Sequence, residues 1–449
     1  MPQRLKFFAL FAVLVLLVLS SLGWAAEYSK GDKEDNKDVT ITTFGELRWR
    51  YENWNNFDFD GSASNWHLGR ARVGVKAEVG ENIWGVFQIQ DSRYWGEELN
   101  LVPIYPYYRT YNGYFNDNID FHQAFLKIES LWGSNFGLKI GRQELSYGDE
   151  RLVGADDWNN IGQAFDGLKV MFKSDYFDFD VFYTQLSPFY PDFNINNPAV
   201  PLTIGGGANA NFSGFYGTAK PIENLAWDGY VFLFYDGSFG PDEPWLWTLG
   251  TRAAGTFAEN FDYTGEFAFQ LGSSPFSFAA DDDVSAFALA LMAGYTFPVE
   301  VKPRIGATFG LATGDDDPVD GKTKTFFPLF PSAHAKWGAM DFQTWSNMMN
   351  LGLKGSLMPS EDLTLKAGFN FLWLNKEDGG WFLPYGFTGP TSGTSKNLGS
   401  ELDLGFHYMY KDAVGFSAGY SHFFPGEALD DIGLDQAPDW IYISTKLGF

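Results

Sequence analysis

Polar and apolar residues alternate along most of this chain. Between Leu363 and Trp373, one face collects Leu363, Leu365, Ala367, Phe369, Phe371 and Trp373, and the other Thr364, Lys366, Gly368 and Asn370. Tyr263–Leu271 and Leu398–Tyr410 repeat the pattern. A period of two means extended strand with two unlike faces. Eighteen candidate strands follow, at about 40–52, 68–79, 83–92, 121–129, 136–145, 167–172, 177–185, 212–221, 226–235, 246–256, 261–271, 284–297, 301–312, 347–357, 363–374, 397–410, 414–423 and 439–449.

The connections separate into two kinds. After even-numbered strands they are short and turn-like, as at Gly80-Glu81-Asn82, Ser174-Asp175-Tyr176, Glu259-Asn260 and Lys411-Asp412-Ala413. After odd-numbered strands they are long, as at 93–118, 186–211, 313–346 and 375–396. An even strand number with short turns at one end and long loops at the other is the pattern of an outer-membrane barrel. A soluble sandwich has no reason to segregate its loops. The expected fold is all-β: a transmembrane antiparallel barrel of about 18 strands with short periplasmic turns and long extracellular loops. The last strand alternates down to Phe449, and a terminal aromatic is what the barrel-insertion machinery is expected to read. Loops 186–211 and 313–346 are long enough to fold inward as a constriction.

One segment breaks the alternation. Arg4 and Lys6 precede an apolar run from Phe7 to Leu22, then Gly23-Trp24-Ala25. Basic start, short apolar core and small residues are the marks of a secretory signal peptide. The expected organisation is a signal peptide at 1–25, a periplasmic segment at 26–38 and a single barrel at 39–449.

Composition supports this picture. Aromatic residues make up 18% of the chain, Gly contributes 50 residues and Cys none. Tyr and Trp are at home in the interfacial girdles of barrels. The lack of Cys excludes disulfides, thiolate metal sites and thiol catalysis. A net charge of −25 disfavours nucleic acid as a partner. The expected surroundings are outer-membrane lipid and lipopolysaccharide in a Gram-negative cell, with the chain a monomer and no cofactor.

Strand parity divides the charge. The inward face is expected to carry Arg48, Arg50, Arg70, Arg72, Lys76, Lys127, Lys139, Lys169, Arg252, Arg304, Lys354 and Lys366, with Lys220, Lys302 and Lys446. Inward acids are Glu46, Glu78, Glu129, Asp178, Asp180, Glu266, Glu401 and Asp403, with Glu52, Asp228 and Asp262. The inward sum is near +4 in an otherwise strongly acidic chain. Two readings stand: Arg and Glu pairs that brace the wall, or a basic lumen that attracts anionic solutes. Arg142 falls on the lipid-facing parity, where a charge in mid-membrane costs about 2–4 kcal/mol. A bulge at Gly141 turning it into the lumen, or arrival of the strand at the rim, is expected instead. In the long loop after 312, Asp315, Asp317 and Asp320 are either solvated charge or weak candidates for a divalent cation.

The run Gly141-Arg142-Gln143-Glu144-Leu145-Ser146-Tyr147-Gly148-Asp149-Glu150-Arg151-Leu152-Val153-Gly154, followed by Trp158 and Phe165-Asp166-Gly167, resembles the alginate-export family of outer-membrane porins. So do Arg70-Ala71-Arg72-Val73-Gly74 with Gln90-Asp91-Ser92-Arg93, Leu329-Phe330-Pro331 with His334, and Phe423-Phe424-Pro425-Gly426. The resemblance implies a monomeric 18-stranded porin with a basic lumen that passes an anionic solute, such as an alginate-like polysaccharide. A selective uptake channel for small hydrophobic or aromatic nutrients is the alternative.

An outer-membrane hydrolase is the remaining class. The five histidines are His67, His122, His334, His407 and His422, and no Gly-x-Ser-x-Gly elbow occurs. Ser421 and His422 are adjacent and so point to opposite faces of a strand. The chain is therefore read as a transporter with no catalytic residues.

Overall fold

The computed structural model describes residues 39–56, 59, 63–96, 117–186, 210–237, 245–274, 283–317, 320–383, 388–389 and 393–449. The expected signal peptide and periplasmic segment lie outside the described residues, as do residues 97–116 and most of loop 186–211. Eighteen long strands form one sheet. They are β1 Val39–Asn55, β2 Ala63–Val79, β3 Ile83–Gly96, β4 Asp117–Ile128, β5 Phe136–Gln143, β6 Phe165–Phe172, β7 Phe177–Gln185, β8 Ala210–Ile222 and β9 Leu225–Asp236 in the first half. The second half holds β10 Trp245–Phe257, β11 Phe261–Ser273, β12 Asp283–Thr296, β13 Arg304–Ala312, β14 Met348–Ser360, β15 Leu363–Leu374, β16 Asn397–Tyr410, β17 Val414–Pro425 and β18 Asp439–Gly448. Every strand pairs antiparallel with its neighbour in the chain. β1 also pairs with β18, Glu46 opposite Gly448 through Asn55 opposite Asp439, which closes the barrel and leaves no sheet edge.

The outward face is apolar because it meets lipid. Phe87, Leu126, Ile140, Phe267, Leu291, Ile305, Leu353, Leu404 and Ile443 all stand exposed there. Trp227, Tyr295, Tyr408 and Tyr410 cluster beside the short turns, as an interfacial girdle requires. Phe449 is half-exposed and its backbone exchanges two hydrogen bonds with Gly45 (2.9 and 3.2 Å).

The inward face departs from simple polarity. Near the periplasmic turns it is charged. Toward the extracellular ends it becomes apolar: Leu372 and Leu374 on β15, Ala286, Ala288 and Ala290 on β12, and Phe212, Phe232 and Phe234 on β8 and β9 are all buried. A lumen lined by such residues needs something inside it. Two hydrophobic clusters fill that space, and both include loop residues: Leu145, Leu152, Val153, Phe326, Phe327 and Phe330 in one, Met340, Phe342 and Trp381 in the other.

Candidate functional site

The chain leaves the wall after Gln143 and turns into the barrel. Loop 144–164 carries Glu144, Asp149, Glu150, Asp156 and Asp157 against a single Arg151, so it brings negative charge to the most basic part of the wall. On β1 and β2, register sets Arg48 beside Arg70 and Glu46 beside Arg72. Arg48 donates to the carbonyls of Asp157 (2.6 Å) and Asn159 (2.8 Å). Arg70 donates to the same two carbonyls (both 3.0 Å) and pairs with the Asp157 carboxylate (2.7 Å) and with Glu46 (2.5 Å). Arg72 pairs with Asp157 (2.8 Å) and donates to the Ile161 carbonyl (3.1 Å). Arg50 donates to the Trp158 carbonyl (2.7 Å) and pairs with Glu52 (2.6 Å). These four arginines are only 1–7% exposed. The expectation that they line an open channel is corrected here: they point inward, but their guanidinium groups hold a loop. Of the two sequence readings, bracing describes them, and the braced partner is a loop the sequence reading had not turned inward.

Burial alone would raise the Asp157 carboxyl. Arg70 and Arg72, helped by Lys446 and Arg48, overrule that and hold it well below the usual carboxylate range. A depressed carboxylate contributes stability that is complete above its unfolded value, near 3.9, and is lost only as pH falls through the lower folded value. Channel conductance is therefore expected to stay constant from neutrality down to the ordinary carboxylate range and to rise only in stronger acid. A bilayer titration in which conductance already climbs near neutrality would contradict this anchoring.

The other side of loop 144–164 is fastened to β7–β11. Tyr147 stacks on Tyr216 (centroids 4.6 Å apart) and donates to Asp180 (3.1 Å). Asp149 pairs with Arg151 (2.8 Å) and Arg252 (2.5 Å). Arg252 also holds Asp228 (2.8 Å), and Arg151 holds Glu266 (2.8 Å). Arg151 is 4% exposed, and Glu266 is buried with it.

Loop 313–347 folds inward too, as its length suggested, and the two loops join. Phe330 donates to the Leu152 carbonyl (2.8 Å), Gly154 to that of Phe330 (2.9 Å) and Ser332 to that of Glu150 (3.0 Å). Val153 and Phe330 form a parallel bridge. Trp158 lies between Arg50, 4.0 Å over one ring, and His334, stacked at 3.8 Å with a 7° tilt. His334 is held by Asp341 (2.7 Å). Beyond it, Met340 donates its backbone N–H to Glu401 (2.9 Å), and the Trp337 carbonyl accepts from Asn350 (2.9 Å). The joined loops thus run from β1 and β2 across the lumen to β14–β16 and narrow it.

Most other expected charges form pairs nearer the periplasmic turns. Lys76 meets Glu78 (2.8 Å) and Lys127 meets Glu129 (2.6 Å), with both ammonium groups over the Trp84 ring. Lys169 pairs with Asp180 (2.8 Å), Lys220 with Asp178 (2.7 Å) and Arg304 with Asp262 (2.5 Å). Lys139 lies over Phe125 (3.8 Å). It has no carboxylate within ion-pair distance among the described residues, and neither have Lys354 and Lys366. Asp403 accepts from Ser421 (2.6 Å) and Asn370 (3.0 Å), while His422 turns the other way to Asp439 (2.8 Å).

One expectation is revised. Gly141 takes a φ of +120°, but the register runs unbroken, with Arg142 opposite Ala124 and Asp166. Arg142 therefore stays on the outward parity instead of lining the channel, and its charge is met by Asp166 (2.7 Å). Asp166, Gln185 and Asn211 follow Arg142 in register across β6–β8, so the outer wall carries a polar row there. Among Asp315, Asp317 and Asp320 no group of three or more ligating side chains converges among the described residues. Asp316, between them, is taken by Lys324 (2.7 Å) and Lys376 (2.9 Å).

The model of the family described as Alginate export matches residues 40–440. The chain belongs to this family. None of the curated proteins matches it. Among solved structures it is similar to OccAB4 of Acinetobacter baumannii, with a TM-score of 0.59, 11% identity, and coverage of 92% of this chain and 100% of that one. OccD3 (OpdP) of Pseudomonas aeruginosa gives 0.58 at 11% identity over 92% and 93% of the two chains. OpdQ of the same organism gives 0.56 at 14% identity over 91% and 98%. At such identities the likeness concerns the fold. Family and barrel together make this alginate-export family member an outer-membrane channel of a Gram-negative bacterium, a transport protein in which the short turns are periplasmic. The run from Gly141 to Gly154, on which the sequence resemblance chiefly rested, is the start of the inward loop, and Leu329-Phe330-Pro331 is the strip it joins.

Proposed function

We propose that this channel passes anionic solutes of the uronate-oligosaccharide type, with an extended alginate-like chain as the largest. The observation that carries this reading is the trio Lys139, Lys354 and Lys366. They face the lumen on the periplasmic side of the joined loops, without carboxylate partners, so their fields remain available to a passing anion. The four buried arginines are taken up by the inward loop. Uptake of hydrophobic or aromatic nutrients is the less supported reading, because inward aromatics such as Phe212, Phe232 and Phe234 are buried against the loops. Lipid and lipopolysaccharide around a monomeric barrel, and recognition of Phe449 by the insertion machinery, belong to the same proposal.

The test is the reversal potential of the purified channel in planar bilayers under a salt gradient. Anion preference is expected, and replacing Lys139, Lys354 and Lys366 with glutamate is expected to abolish or invert it without changing the loop's protease resistance. Cation preference in the unmodified channel would remove the proposal.

A further inference from the structure

Glycine inside a strand weakens it, and it marks a bulge, a sharp bend or the close approach of another group. Elsewhere on the inward face the reason is visible. Phe232 lies over Gly214, Tyr230 over Gly250, Arg304 over Gly294 and Tyr442 over Gly419. Two neighbouring glycines have no such reason. Gly368 on β15 stands opposite Asp403 on β16, and the next inward pair toward the periplasmic turn is Lys366 opposite Gly405. Neither glycine takes a positive φ, and the register runs unbroken across both. A Cβ on Gly368 would have Asp403 Oδ2 as its nearest neighbour, at 3.5 Å. One on Gly405 would meet only the Ala418 carbonyl, also at 3.5 Å. Ordinary side chains have room at both positions. Packing therefore does not call for glycine there, and the two together leave a recess open to the lumen.

The groups around this recess differ in kind. Lys354 on β14 stands opposite Gly368, and Lys366 lies beside both glycines. Asp403 is fixed by Ser421 (2.6 Å) and Asn370 (3.0 Å), and its oxygens keep further lone pairs. Gly405 is opposite Gly419 on β17, so the Tyr442 ring that covers Gly419 forms one side of the recess. Trp158 and Trp440 hold that ring in place, with centroids 5.2 and 4.9 Å away. His407, bonded to Ser417 (2.9 Å), closes the side nearest the periplasmic turn.

We infer that the recess over Gly368 and Gly405 seats one pyranose ring of a passing uronate chain. The ring fills the space the glycines leave, with an edge against Tyr442. Lys354 and Lys366 take its carboxylate, and Asp403 accepts from its hydroxyls. Asp403 also repels a carboxylate turned toward it, which gives the ring one orientation. A uronate offers apolar C–H groups, hydroxyl donors and a single carboxylate, and the recess has a partner for each. An acidic peptide meets the lysines but leaves Asp403 and Tyr442 unmatched. A neutral glucan fills the recess but leaves the lysines unused. The inference rests on the anionic reading proposed above and sharpens it: the lysine fields draw anions in, and the recess separates sugar acids from other anions.

The test uses full-length channels in planar bilayers, with a mannuronate hexamer, maltohexaose or hexaglutamate added to the bath. The mannuronate hexamer is expected to interrupt the single-channel current in discrete events longer than those of the other two probes. Gly368→Val and Gly405→Val fill the recess and keep every charge. Each should shorten the events at least about ten-fold, as misplaced methyl groups do in a fitted pocket. Tyr442→Leu should shorten them as well. Both glycine variants gain strand propensity and should fold, which heat-denaturation midpoints check. Gly405→Ala serves in place of a valine variant that is unstable. The reversal potential of the same channels under a salt gradient reads the proposed function separately. Anion preference with events equally long in the unmodified, Gly368→Val and Gly405→Val channels would overturn the seat alone. So would a lack of interruptions by the uronate, or hexaglutamate events as long as its own. Cation preference in the unmodified channel would remove the proposed function and the seat with it.

Discussion

Converting both Arg70 and Arg72 to glutamate is expected to open the channel, not merely to shift its ion preference. The two side chains make most of the bonds that hold Asp157, Asn159 and Ile161 against β1 and β2. Both are nearly fully buried. Breaking a buried pair from one side costs roughly 3–5 kcal/mol, and that alone reduces the docked population by a factor of about 10²–10⁴. Two new carboxylates facing Glu46 and Asp157 add repulsion. Single-channel conductance should rise, and loop 144–164 should become sensitive to protease added from the extracellular side. Unchanged conductance with altered selectivity would mean the arginines act on passing ions after all.

The second large effect is expected at Arg151. It lies in the middle of the joined loops and holds both Asp149 and Glu266. Arg151→Met should leave Glu266 buried without its cation and destabilise the loops by roughly 3–5 kcal/mol. Asp149 retains Arg252 in that variant, so the loss should centre on Glu266. Pairing Arg151→Met with Glu266→Met should recover most of the loss, because an apolar pair of similar volume often replaces a buried ion pair without penalty. Heat-denaturation midpoints of the unmodified protein, both single variants and the double variant form a cycle that measures this. A double variant as unstable as Arg151→Met would show that the cost arises elsewhere, for instance at Asp149.

The barrel was legible in the alternation because lipid imposes it residue by residue. Leu363, Leu365, Phe369 and Phe371 report one face of β15 wherever they occur in a chain. All eighteen candidate strands are present, and their ends moved where a local pattern stops informing. β2 begins at Ala63 instead of 68, since Ala63-Ser64-Asn65 shows no apolar face, and β13 begins at Arg304 because Lys302 is held at a φ of +42° in the turn. β5 ends at Gln143, two residues early, where the chain turns inward.

The lumen was harder to read because its contents come from far along the chain. Whether Arg70 faces water or a carbonyl depends on residues 85–90 positions away, and alternation carries no information at that range. Signals were nonetheless present. Leu372, Leu374 and the alanines at 286, 288 and 290 are apolar on the inward parity, where a water-filled barrel would be polar. The five acids of loop 144–164 are opposite in sign to the arginines of β1 and β2. For Arg142, parity indicates the outside and the cost of a mid-membrane charge indicates either the lumen or the rim; it lies outside, one residue before the end of β5, with its charge met by Asp166.

The pairing of β1 with β18 has a consequence for how the molecule is built. The seam joins the two ends of the chain, and without it the sheet is an open trough. Near the margin of that trough Arg50 and Arg70 have Glu52 and Glu46 on their own two strands, whereas Arg48 and Arg72 depend on the inward loop for the partners described above. Those partners, at Asp157 to Ile161, follow β5 in the chain. The loop that narrows the passage is bonded to the strand at the seam and to its neighbour, so the filling of the barrel and its closure hold each other in place.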